Sequence, residues 1–266
     1  MSQVGFVGAG RMGAPMVRRL VEAGHEVRAL GRSVEKRREV SELGAQPVTD
    51  LADVGADADV VIVSVFADEQ VQQVCLESVL LSTMRPGAVL VIHTTGSPRT
   101  AESVAAQAGS HGVDVIDAPV SGGPHDIAAG QVTLFVGGSD DAVERARPVL
   151  ASYGDPILHV GPIGAGQGVK LVNNTLFAAQ IGLLREAVRL GDRLGVDERQ
   201  LLDAIGHGSA ASRVASIVGA RGSVNAFIDM VGEFIGKDVA VVRKTAAELG
   251  SDLGLLDDAI NAGFEK

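Results

Sequence analysis

Val4-Gly5-Phe6-Val7-Gly8-Ala9-Gly10-Arg11-Met12-Gly13 sets a Gly-x-Gly-x-x-Gly turn directly after a short apolar run and at the mouth of an expected helix. Each glycine has its own task in such a turn. Gly8 allows the tight bend, Gly10 lets the backbone approach a pyrophosphate, and Gly13 lets the helix sit close on the strand. N–H groups at the helix start then face the anion. In a chain with 34 glycines an ordinary strand-to-helix turn explains the spacing about as well, so the rest of the chain decides between the two.

Outward from this turn, short runs rich in Val and Ile alternate with helical stretches as far as about residue 160. Strands are expected at 3–7, 26–30, 46–48, 59–65, 88–92, 113–118 and 132–137, with Ile157-Leu158-His159-Val160 also strand-like. Asp59-Val60-Val61-Ile62-Val63-Ser64-Val65 is apolar on both faces, as a central strand covered by helices must be. The expected fold class is α/β, a Rossmann-type doubly wound parallel sheet. The segment Gly161-Pro162-Ile163-Gly164-Ala165-Gly166-Gln167-Gly168 reads as a break, which divides the chain into a dinucleotide-binding domain, 1–162, and an all-helical domain, 163–266. The helical domain opens with one long helix over 169–194, carrying Leu171, Val172, Leu176, Ile181, Leu184, Val188 and Leu190 at helical spacing. It serves either to complete the core or to pair with a second copy in a homodimer or homotetramer.

Composition narrows the partners. A net charge of −10, with Arg32 to Arg38 the one basic cluster, argues against nucleic acid. One cysteine, Cys75, rules out a disulfide framework within the chain, and no Cys/His pattern points to a metal. The chain enters a strand by residue 3 and has no uninterrupted apolar run of membrane-spanning length, so the expectation is a cytoplasmic protein without a leader or membrane anchor.

The second strand bears on the choice of dinucleotide. An Asp or Glu at its end would bind the ribose 2′-hydroxyl of NAD. Here the strand runs into Gly31-Arg32-Ser33 instead. A guanidinium stands where it can bind a 2′-phosphate bidentately, which favours NADP(H) over NAD(H). Arg37 and Arg38 read as a solvated helix face.

Three later segments carry candidate chemistry. Asp117-Ala118-Pro119-Val120-Ser121-Gly122-Gly123 follows a strand, where successive backbone N–H groups beside a serine hydroxyl can hold a small carboxylate. Asp117 itself reads as support for its own turn. Lys170 sits near the start of the long helix with Asn174 four residues on, hence on the same face. A helix N-terminus disfavours an ammonium, which favours a lysine able to exchange its proton. Gly236-Lys237-Asp238 lies inside a helical stretch and reads as a clamp on the cofactor.

In their order these motifs resemble the β-hydroxyacid dehydrogenase family, which includes 3-hydroxyisobutyrate dehydrogenase and the tartronate and glyoxylate/succinic semialdehyde reductases. The resemblance implies an NADP-dependent oxidoreductase interconverting a small carboxylate-bearing aldehyde and its hydroxy acid. It implies Lys170 as proton donor and acceptor, Asn174 as orienter of substrate and lysine, and Ser121, Gly122 and Gly123 as the substrate loop. Cofactor contacts fall on Gly8, Ala9, Gly10, Arg11, Met12 and Gly13, on Gly31, Arg32 and Ser33, on Val65 and Phe66 after the fourth strand, and on Thr95 and Lys237. No metal is implied.

The departures concern the substrate. Pro124-His125-Asp126 follows Ser-Gly-Gly where relatives have small residues, and Arg213 stands where many have tryptophan, offering a cation to a second anionic group. The sequence ends at Lys266, earlier than most relatives. An imine reductase is the alternative within enzymology, but such enzymes usually place Asp or Tyr where this chain has Lys170. A non-catalytic NADP-binding module would have no use for Lys170 and Asn174.

Overall fold

Alternate residues of the central strands feed two separate cores. Strands β1 (Gln3–Val7), β4 (Val60–Val63) and β5 (Val89–Ile92) present Val4, Phe6, Val60, Ile62, Val89 and Val91 to one face. Val7, Val61, Val63, Leu90 and Ile92 face the other. Each fully buried Val, Leu or Ile contributes roughly 1.5–3 kcal/mol, so strands apolar on both sides settle in the middle of the sheet. Helices α1 (Gly13–Glu22), α7 (Pro124–Ala128) and α8 (Asp140–Leu150) supply side chains to the first core. Helices α3 (Leu51–Gly55), α4 (Asp68–Cys75), α5 (Leu80–Thr83) and α6 (Pro98–Gly109) supply the second.

The computed structural model describes residues 1–264, apart from the side chain of Glu233. Two compact units divide it, Met1–Lys170 and Leu171–Lys266. The first holds one sheet. Its remaining strands are β2 (Glu26–Leu30), β3 (Gln46–Val48), β6 (Asp114–Asp117), β7 (Val120–Ser121), β8 (Val132–Gly137) and β9 (Gly154–Gly161), and α2 (Val34–Glu42) joins β2 to β3. The strand order is β3-β2-β1-β4-β5-β6-β8-β7, with β9 beside β8. From β3 through β6 every pairing is parallel, with Val4 opposite Val27 on one side and Val60 on the other. The chain reverses its direction of travel across the sheet between β1 and β4, the switch point at which such folds bind ligands beyond the strand ends.

The sheet departs from the expected all-parallel pattern at one place. β8 runs antiparallel to both β6 and β7. The connection from β6 to β8 holds only a two-residue strand and the five-residue α7, too little to cross the sheet and return it parallel. β9 pairs in parallel with β8 and is longer than the expected four-residue run.

Among the described residues the second unit is helical. It contains most of α9 (Ala165–Arg193), then α10 (Glu198–His207), α11 (Arg213–Gly219), α12 (Val224–Glu248) and α13 (Leu255–Phe264). Ile181, Leu202, Val218, Phe227 and Ile260 lie in its core. Gly182 of α9 lets the backbone of α13 approach, since a Cβ there would strike the Ala259 carbonyl. Side chains cap the helix starts: Asp197 accepts from the Gln200 N–H at 3.1 Å and Ser212 from the Ala215 N–H at 3.0 Å. No single helix among the described residues is long and apolar enough to cross a membrane.

Candidate dinucleotide and substrate site

The three glycines of the opening turn meet different surroundings. Gly8 has φ +100°, and a Cβ on it would fall on the Ser64 carbonyl. A Cβ on Gly13 would fall on the Gly8 carbonyl and against the ring of Phe6. Gly10 differs: a Cβ there would meet nothing within 4 Å. Protein packing explains Gly8 and Gly13, whereas Gly10 leaves open space at the turn, as a backbone that must approach a pyrophosphate requires.

Beside the turn lies a cleft of about 240 Å³ at the switch point. Leu30, Val40, Val65 and Val74 form apolar walls, and Arg32 and Lys36 stand at one side. Gly8, Ala9 and Gly10 line it; Gln70 and Gln73 of α4, which the sequence did not single out, line it too. The set fits a dinucleotide, with an open glycine turn for phosphates, an apolar slot for a ring, and cations at the end of β2.

Around Arg32 the basic cluster separates by role. Arg32 is exposed, and among the described residues it has no carboxylate within ion-pair distance. Lys36 pairs with Glu39 at 2.7 Å and Arg38 with Glu42 at 3.4 Å. Arg37 donates to the Gly31 carbonyl and packs where a Gly31 side chain would sit. Ser33 is the N-cap of α2, accepting the Lys36 N–H at 3.2 Å, so its oxygen is already engaged as an acceptor.

Other expected cofactor residues lie outside the cleft. Met12 packs into the first core, Arg11 is exposed, and Phe66 is exposed without lining the cleft. The backbone N–H groups of Phe66 and Ala67 are both taken by Gln70 Oε1. Thr95 is half-buried in the loop after β5.

That loop and the start of α9 are locked together inside the first unit. Asp117, fully buried at the end of β6, accepts the Gly164 N–H on Oδ1 and the Gln167 N–H on Oδ2, both at 2.6 Å. It therefore caps α9 from 47 residues away rather than supporting its own turn. The cap also moves the helix start: α9 opens at Ala165, four residues before the expected position, and the glycines read as a break form its first turn. Lys170 consequently sits in the second turn, where the macrodipole argument for a proton-exchanging amine loses most of its force. Burial raises the Asp117 carboxyl to about 6; the Gly164 and Gln167 N–H groups pull the other way. Gln167 is 1% exposed, and its side chain accepts the Gly96 N–H at 3.0 Å and donates to the Thr94 carbonyl at 2.8 Å. Lys170 is itself 9% exposed.

The substrate loop is tighter than expected. Ser121 pairs with Thr133 across the β7–β8 ladder, and Gly122 has φ +139°. The Gly123 N–H is already donated to Asp126 Oδ2 at 2.6 Å. With the Ser121 N–H in the ladder and the Gly123 N–H on Asp126, carboxylate binding falls back on the Ser121 hydroxyl and the Gly122 N–H. Nearby, His93 is buried and neutral, its Nδ1 bonded to the Ala118 carbonyl at 2.5 Å and its Nε2 to the Tyr153 hydroxyl at 2.8 Å. Burial holds it down at about 4.

In the second unit, Asn174 is held from two sides. Its Nδ2 donates to Asp238 Oδ2 at 2.5 Å, and its Oδ1 accepts from Asn173 Nδ2 at 3.0 Å. Lys237 lies 3.2 Å from Asp238 Oδ1, at ion-pair distance without hydrogen-bond geometry. Arg213 is exposed in the first turn of α11.

The fold and the open glycine turn at the switch point define a dinucleotide-binding protein with an appended helical unit. Residues 3–161 match the NAD-binding domain of 6-phosphogluconate dehydrogenase, and residues 164–261 match the NAD-binding domain of NADP-dependent 3-hydroxyisobutyrate dehydrogenase. The chain belongs to the β-hydroxyacid dehydrogenase family. A probable 3-hydroxyisobutyrate dehydrogenase of Mycobacterium tuberculosis is 38% identical, over 77% of this chain and 69% of its own. The NAD-dependent L-serine dehydrogenase of Pseudomonas aeruginosa is 32% identical, over 98% of this chain and 86% of its own. Among solved structures, the M. tuberculosis 3-hydroxyisobutyrate dehydrogenase with L-serine superposes with a TM-score of 0.88 at 30% identity, covering 98% of this chain and 92% of that one.

Proposed function

We propose that this chain is an NADP-dependent oxidoreductase that interconverts a small carboxylate-bearing aldehyde and its hydroxy acid. The observation that carries the reading is Lys170, an amine buried to 9% exposure on a helix whose first turn is clamped to the strand ends of a dinucleotide fold. The relatives support the substrate class, since one is named a probable 3-hydroxyisobutyrate dehydrogenase and the other an L-serine dehydrogenase. When bound, NADPH supplies the hydride for the carbonyl carbon. Lys170 gives the proton to the carbonyl oxygen and takes it back from the hydroxyl in the reverse direction. Asn174 orients the oxygen, its amide fixed by Asp238 and Asn173. Ser121 and Gly122 hold the carboxylate, and Arg213 is a candidate for a second anionic group.

NADP is favoured over NAD because Arg32 lines the cleft and the end of β2 carries no carboxylate to repel a 2′-phosphate. The NAD-dependent relative makes this a point to measure. A homo-oligomer is supported by Val172, Leu176, Leu183 and Leu190, all exposed at helical spacing on α9.

The test is oxidation of NADPH on a panel of semialdehydes, glyoxylate and cyclic imines. Turnover of the carboxylate-bearing aldehydes is expected, with Lys170→Ala losing turnover while still binding NADPH. Near-normal turnover by that variant would sink the assignment.

A further inference from the structure

We propose that Asp117 and Gln167 are positioning residues that together set the place of Lys170 and of the Thr94–Gly96 loop. The proposal rests on the proton role given to Lys170 above.

Two buried polar side chains do this in complementary ways. Asp117 reaches up from the end of β6 and takes two N–H groups of the α9 start, one on each oxygen. Gln167, within that same first turn, reaches outward and takes the loop after β5 by one N–H and one carbonyl. The helix is thus tied downward to one strand end and sideways to the next. The first turn has no slack. A Cβ on Gly166 would strike the Phe135 carbonyl and stand 2.8 Å from the Asp117 carbonyl and Oδ2; one on Gly137 would stand 2.5 Å from Asp117 Oδ1. Lys170 lies three residues after Gln167 and four after Gly166, so its side chain leaves the same side of the helix that is clamped. The loop is held from its other flank as well: Asp68 accepts the Ser97 N–H at 3.1 Å and the Thr100 hydroxyl at 2.6 Å. The loop is therefore held on both flanks, and Gln167 registers the lysine helix to it.

Both groups are costly to bury. A carboxylate or amide is kept out of water only if every partner is in place. An apolar side chain of Gln167's size would fill the same space, but it would lose the register between helix and loop.

Three variants separate positioning from filling. Gln167→Met keeps the volume and removes both bonds; kcat is expected to fall about 100-fold, the scale of an ångström of misplacement at a reacting group. Gln167→Glu can accept the Gly96 N–H at any pH but can donate to the Thr94 carbonyl only when protonated. Its kcat relative to wild type is therefore expected to rise as pH falls, and a ratio flat with pH would overturn the proposal. Asp117→Asn, which turns an N–H donor toward one of the two N–H groups it should accept, is expected to lower kcat in the same way. A readout independent of turnover is acetylation of Lys170 by acetic anhydride, followed by peptide mapping with Lys36 and Lys244 as internal references. Faster labelling of Lys170 alone in Gln167→Met supports the proposal; unchanged labelling overturns it. If the wild-type protein oxidises NADPH with none of the aldehydes, the functional reading fails, and the labelling still decides the positioning.

Discussion

Asn174 on α9 donates its amide proton to Asp238 on α12 across 2.5 Å, and this carboxylate decides which way the asparagine faces. A carboxylate accepts only, so Asn174 must turn its Nδ2 to Asp238 and its Oδ1 to Asn173. Asp238→Leu removes the acceptor and frees the amide to flip. A hydrogen bond to a charged group is worth about 1.5–3 kcal/mol, so kcat/KM for the aldehyde is expected to fall roughly 10- to 100-fold. Asp238→Asn, which can still offer an oxygen, is expected to lose far less. Equal losses in steady-state kinetics of the two variants would show that the charge beside Lys237, and not the orientation of Asn174, is what matters.

His93 and Asp117 predict opposing responses to acid. His93 is held at about 4 against 6.5 when unfolded, so protonation penalises the fold as pH drops from 6.5 toward 4. Asp117 is raised to about 6 from 3.8, so its burial costs stability above 6, and that cost fades as pH falls toward 3.8. Each is worth about 3 kcal/mol at about 1.4 kcal/mol per pK unit, and the two nearly cancel between pH 4 and 6. His93→Gln removes one arm while its amide can still serve Ala118 and Tyr153. The variant is expected to be less stable than wild type at pH 7 and to close that gap by about 3 kcal/mol at pH 4. Urea unfolding at both pH values reads this, and a gap independent of pH would contradict the buried neutral imidazole.

Much of the frame was legible because it is local. Val60 to Val63 is apolar on both faces, so its place in the middle of the sheet follows from the residues themselves. The strands expected at 3–7, 26–30, 46–48 and 132–137 also form with those bounds, though Glu26, Arg28 and Gln46 make the second and third polar on one side. What escaped notice is non-local. The helix start at Ala165 depends on a carboxylate 47 residues upstream, and without it Gly164 to Gly168 reads as a breaker. Gln167 bridging to Thr94, 73 residues away, is likewise a contact that no spacing announces, whereas Asp126 closing the substrate loop is local, three residues from Gly123 at the start of α7. Asp238 stood in plain view beside Lys237, yet its partner is Asn174, 64 residues away.

Arg32 carries the choice of dinucleotide. It is exposed at the cleft, while Lys36 and Arg38 are engaged by glutamates and Arg37 by a backbone carbonyl. Arg32→Ala is expected to weaken NADPH binding by at least tenfold, in line with about 1.5–3 kcal/mol for a charge-assisted bond, and to leave NADH binding nearly unchanged. Titration of both cofactors by fluorescence measures it. Equal weakening would remove Arg32 from the 2′-phosphate and leave the cluster as a solvated helix face.

The glycines of the opening turn separate folding from binding. Gly8 has a left-handed backbone, and a Cβ on it would collide with the Ser64 carbonyl, so Gly8→Ala strains the β1–β4 junction whether or not a nucleotide is present. It is expected to lower the melting temperature of the free protein. Among the described residues a Cβ on Gly10 meets nothing within 4 Å, so Gly10→Ala is expected to leave that temperature within a degree or so. The added methyl instead occupies the space through which a pyrophosphate would approach the backbone. NADPH should then raise the melting temperature of wild type but hardly that of Gly10→Ala. If Gly10→Ala responds to NADPH as wild type does, the open space at Gly10 is not where the phosphates sit, and the turn serves only to join strand and helix.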